Sequence, residues 1–119
     1  MAARQRQTYG EEVANVLTHG AGMLFGMTAI IVLMMAAIRS GNPWAIGSFA
    51  VYAVCMALSY VTSTFYHAST HARQKRLLRR FDHGAIYLHI AGTYTPFTLL
   101  ALRQEGYWGW SLFAVIWIA

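Results

Sequence analysis

Three apolar runs, each free of Asp, Glu, Lys and Arg, divide the chain. Residues 20–38 and 44–66 contain no ionisable group other than Cys55 and tyrosines, and residues 84–102 add only His89. A helix needs about 20 residues to cross a hydrocarbon core, so the pattern predicts spans at about 20–38, 44–66 and 84–102. A fourth run, 108–119, is too short to cross and is expected to be the start of a fourth span. The fold class expected is therefore all-α: a multi-pass transmembrane helical bundle, one membrane domain over 1–119, cut from a longer parent. Spans left without partners predict unpaired polar faces around Ser63 and Asp82 and poor stability of the piece alone.

Local signals punctuate these runs. Residues 1–10 are polar and read as a disordered tail, and a helical pattern begins at Glu11. Gly41-Asn42-Pro43 ends the first helix, with Pro43 suited to the first turn of the next. Pro96 cannot donate to the carbonyl of Gly92, so the third helix should bend there. Gly22 and Gly26 form a Gly-x-x-x-Gly pair that permits close helix approach. Trp44, Tyr107, Trp108 and Trp110 mark one membrane interface.

Composition strengthens the membrane reading and charge orients it. The chain is 57% hydrophobic and 11% charged, against roughly 25% charged for soluble domains. Arg4, Arg6, Arg73, Lys75, Arg76, Arg79 and Arg80 fall on one side of the predicted spans, and only Arg39 and Arg103 on the other. The positive-inside rule then places the N-terminus and a basic 70–80 loop in the cytoplasm. Anionic lipid headgroups are the expected partner of that loop, at about 1 kcal/mol per charge. No aromatic platform or nucleic-acid motif accompanies it, so no nucleic acid is expected. The single cysteine, Cys55, reads as apolar filler within a span.

Polar residues recur at helical spacing at the basic end. Glu12, Asn15 and His19 form one stripe, Ser59, Ser63 and His67 a second, and Asp82, His89 and Thr93 a third. Ser63 and His67, four residues apart, lie on one helix face about 6 Å apart along the axis. Two readings stay open for each. His67 is either a headgroup-level imidazole or a metal ligand, and Asp82 either caps the third helix or is a functional carboxylate at the membrane edge.

Four pieces in order resemble the hemolysin III family, the bacterial branch of the progestin and adiponectin receptor superfamily. They are Glu12-Val13-Ala14-Asn15 with Thr18-His19-Gly20, then Ser63-Thr64-Phe65-Tyr66-His67, then Arg79-Arg80-Phe81-Asp82-His83, and Ala91-Gly92-Thr93-Tyr94-Thr95-Pro96-Phe97. The resemblance implies a seven-span protein of the bacterial inner membrane with a buried zinc ion near the cytoplasmic side. It implies that His67 is one of three zinc-ligating histidines, the other two lying on a last helix this sequence does not contain. It also implies that Ser63 and Asp82 stand beside the metal as catalytic residues.

Three functions follow as expectations. The first is a zinc-dependent intramembrane hydrolase in the full-length parent, acting on an amide-containing lipid. The second, carried by the family's name, is cytolysis. The third is a non-enzymatic sensor or homeostasis protein of the lipid bilayer with a structural metal.

Overall fold

The computed structural model describes residues 8–119 and is built from helices. Arg4 and Arg6 of the charge argument, and most of the expected tail, lie outside the described residues. Helix α1 spans Tyr9–Ser40, α2 Pro43–Ala68, α3 Ala72–Pro96 and α4 Trp108–Ile118, with a π-helical segment, Phe97–Ala101, continuing α3.

Capping explains where α1 begins. Thr8 caps it: the Thr8 Oγ1 accepts from the Glu11 N–H at 3.3 Å, and the Glu11 carboxylate accepts from the Thr8 N–H at 2.7 Å, a reciprocal capping box. The helix thus starts at Tyr9, two residues before Glu11. Its 32 residues extend about 48 Å, well beyond a 30 Å hydrocarbon core. With the uncharged 20–38 run in the core, residues 9–19 project toward the basic end.

The first turn matches its sequence signals. Gly41 adopts φ 65°, a left-handed conformation, and its N–H donates to the Ile38 carbonyl. Asn42 then caps α2, its Oδ1 accepting from the Trp44 N–H at 3.0 Å, and Pro43 takes the first helical position. A side chain at position 41 is strained by that φ, so Gly41→Ala should destabilise the chain by about 1 kcal/mol. Thermal unfolding in detergent measures the loss.

The basic stretch is not a loop. Only residues 69–71 separate α2 from α3, and α3 runs from Ala72 through every cation of the expected 70–80 loop. Arg, Lys, Gln and Leu are all good helix formers, and their charges reach water from a helix as readily as from a loop. Asp82 consequently lies ten residues inside α3 and does not cap it; His71 occupies the cap position.

At its other end, α3 does not simply bend at Pro96. The missing donor is followed by the wider π turns of Phe97–Ala101, where Thr98 donates to the carbonyls of Tyr94 and Thr95 at 3.0 and 3.1 Å. Gly106, at φ 70°, turns the chain into α4. The Trp117 Nε1–H on α4 donates to the Thr95 Oγ1 at 3.1 Å.

Helices α2 and α3 share the most extensive interface, and α1 packs on the other flank of α2. Helices α2 and α3 approach closely at Gly92, which faces Cys55. Two helices, α1 and α2, are long and apolar enough to cross a membrane. The third predicted span, 84–102, is divided between the end of α3, the π segment and Leu102. Phe25 on α1, Tyr87 on α3 and Val115 on α4 are more than half exposed, as lipid-facing side chains are.

Candidate functional site at the basic end of the bundle

The first and second polar stripes meet across the α1–α2 interface. The His67 Nδ1–H donates to the Glu12 Oε2 at 3.0 Å, and the Lys75 Nζ, from the start of α3, donates to the Glu12 Oε1 at 3.1 Å. One carboxylate therefore ties three helices together. One turn deeper on α2, the buried Ser63 Oγ is 2.7 Å from the His19 Nδ1. The His19 and His67 rings meet edge to face, with centroids 5.6 Å apart. Tyr66 completes the group, stacked obliquely against His67 and lying 5.4 Å beneath the Lys75 ammonium.

The helices position these groups by register. Ser63 and His67 are one turn apart on α2, while Glu12 and His19 are two turns apart on α1, so the contacts form between antiparallel helices at two levels. Ser63, expected to be left unpaired, is satisfied by His19. Asp82 is mostly buried, and the His83 Nδ1 lies 3.7 Å from its carboxylate, too long for a hydrogen bond. The structure thus gathers Ser63 and His67, and leaves Asp82 outside their hydrogen-bond network. On the third stripe, His89 lies between the edges of Tyr52 and Tyr60, its buried Nδ1 without a partner.

Electrostatics follow from these contacts. Glu12 precedes the 20–38 run, and the hydrogen bond from His67, then that from Lys75, holds its carboxyl below the usual glutamate range. A lowered folded-state pKa means that its contribution is complete above the ordinary glutamate range and lost as pH falls through the lowered value. Acidification of the metal-free chain should accordingly lower its melting temperature more than that of Glu12→Gln, measured in detergent from pH 7 to pH 3.

The chemistry available is that of an oriented imidazole. A carboxylate can only accept, so the His67 proton shared with Glu12 is on Nδ1 and Nε2 is the ring nitrogen turned away from it, the orientation in which outer-shell carboxylates hold metal-binding histidines. A zinc site needs three or four ligands. Among the described residues no three His, Cys, Asp or Glu side chains come together as a ligand set. These residues do not fit a zinc ion on their own.

Lys75 is the contributor that sequence reasoning missed, having been read as one more loop cation. Its place three residues into a helix of good helix formers was the available signal. A cavity of about 700 Å³, lined by Trp44, Ser48, Thr95, Leu99, Phe113 and Trp117 among others, opens toward the other end. None of the polar candidates lines it.

Comparison with known proteins agrees with the fold and the motifs. The profile of the family described as "Haemolysin-III related" matches residues 7–119. The chain is 46% identical over 114 residues to Hemolysin-3 of Bacillus cereus, covering 96% of this chain and 51% of the relative. It is 44% identical over 110 residues to the Hemolysin-3 homolog of Bacillus subtilis (strain 168), covering 92% and 51%. The chain spans about half the length of these curated relatives. No solved structure matches it significantly. An all-α chain with membrane-length apolar helices, matched by this profile over nearly its whole length, belongs to the hemolysin III family of integral membrane proteins.

Proposed function

We propose that this chain contributes one arm of a metal centre at the cytoplasmic edge of a bacterial inner-membrane protein. His67 is the ligand, Glu12 its positioning carboxylate, and zinc the metal; the remaining ligands come from helices outside this sequence. The Glu12–His67 contact carries the reading, because it orients the ring with Nδ1 on the carboxylate and leaves Nε2 as the nitrogen for a metal. The N-terminus lies in the cytoplasm, as the placement of the arginines supports.

Hydrolysis of an amide-containing lipid is the activity proposed for the whole protein. Water is the nucleophile that replaces the amine at the amide carbonyl; the buried Ser63 is the proposed hydrogen-bond partner of the substrate carbonyl or of that water, and Asp82 accepts the water's proton once the remaining helices are in place. Zinc, when bound, would supply Lewis acidity. The test is turnover of an amide lipid by the full-length protein in proteoliposomes. Loss of turnover in Asp82→Asn with the metal retained supports hydrolysis; retained zinc with no turnover in the wild type supports a structural metal in a membrane sensor instead.

Cytolysis is the second reading, favoured by the printed name of the Bacillus cereus relative. Glu12, His19, Ser63, His67 and Lys75 gather at one end of the helices, which supports a localised site over a pore. Release of a trapped dye from liposomes by the purified full-length protein separates the two.

A further inference from the structure

The helical register of 72–81 sorts its residues in a way that a loop would not. Arg73, Arg76 and Arg80 fall at i, i+3 and i+7, on one face of α3, with Arg79 at its margin. Leu77 and Phe81, four residues apart on the adjoining face, are 55% and 57% exposed. Among the described residues no carboxylate pairs with any of the four arginines: the acidic contacts are Glu12 with His67 and Lys75, and Asp82 with His83. Four unpaired guanidiniums beside two bare apolar side chains, in helical turns that continue into the membrane domain, have the layout of an interfacial segment. The apolar pair enters the acyl boundary while the arginines meet phosphates.

The same turns deliver Lys75 to Glu12, and so reach the His67 contact. Mutual repulsion among the arginines opposes helix in these turns, and a phosphodiester removes it. We infer that Arg73, Arg76 and Arg80 form a binding surface for anionic phospholipid headgroups, and that an occupied surface holds the start of α3 in place and with it the Lys75–Glu12–His67 contact. The inference rests on the chain lying in a membrane, and is independent of whether His67 binds a metal.

Lys75 is the only lysine in the sequence, which makes the test specific. The chain is reconstituted in phosphatidylcholine liposomes with and without phosphatidylglycerol, and acylation of Lys75 by an amine-reactive ester is followed by peptide mass spectrometry, with the N-terminal amine as internal reference. Phosphatidylglycerol should slow Lys75 acylation about tenfold relative to that reference. The Arg73→Gln/Arg76→Gln/Arg80→Gln variant should lose the difference, and Arg39→Gln/Arg103→Gln, at the opposite end, should keep it. Native mass spectrometry of the wild type, which does not depend on any variant folding, should show phosphatidylglycerol retained in preference to phosphatidylcholine. Equal acylation in both liposomes, protection that survives in the triple variant, no lipid preference in the wild type, or equal protection by inorganic phosphate would each overturn the inference.

Discussion

In the full-length protein, Gly92→Leu is expected to separate α2 from α3 and to abolish the cooperative unfolding transition in detergent. A β-carbon built at position 92 would lie 2.5 Å from the Cys55 Cβ and 3.0 Å from its Sγ. The first obstacle is an atom bonded directly to the α2 backbone, and no rotamer moves it. Even Gly92→Ala should therefore cost about 1–3 kcal/mol, as overpacked cores do, despite alanine's higher helix propensity. Because the clash is with a Cβ, Cys55→Ala should not relieve it and Cys55→Gly should. In Cys55→Gly/Gly92→Ala the two losses should fall short of additive by about 1 kcal/mol. Additive losses would mean that the helices do not cross at this pair.

Removal of the Glu12 carboxylate is the second large effect. In the metal-loaded full-length protein, Glu12→Gln should weaken zinc affinity about 10- to 100-fold, measured by competition with a chelator, as loss of an outer-shell carboxylate does. Glutamine accepts a hydrogen bond through its amide oxygen but holds no negative charge against the ring or the Lys75 ammonium. Lys75→Met should have a smaller effect in the same direction, since it leaves the His67 contact in place. Unchanged affinity in Glu12→Gln would show that the His67–Glu12 contact does not serve a metal.

Much of this arrangement was legible in the sequence because it depends on local chemistry. The Gly41-Asn42-Pro43 turn, the apolar runs and the placement of Glu12, His19, Ser63 and His67 at one end all follow from rules within a few residues of each other. The partner choices did not follow. Stripe spacing puts Glu12 and His19 on one face of α1, but whether that face meets the Ser63–His67 face of α2 depends on how the two helices rotate against each other, and that is set by contacts such as Gly22 with Tyr60 and Gly26 with Met56.

The start of α3 is hidden in the sequence for a different reason. The positive charges between 73 and 80 carry a topology signal that masks their helix propensity, and with it the contact of Lys75 and the place of Asp82 inside α3. Pro96 was read correctly as a disturbance, but not the form it takes. The turns after it widen into a π segment, Phe97–Ala101, which spacing alone does not reveal.

The most direct test of the central claim is the zinc content per chain of the full-length protein and of its His67→Ala variant, by elemental analysis after purification without chelator. One zinc per wild-type chain, lost in His67→Ala but retained in His71→Ala, is the predicted result. No zinc in the wild type, or equal zinc in wild type and His67→Ala, would contradict the assignment of His67 as a metal ligand.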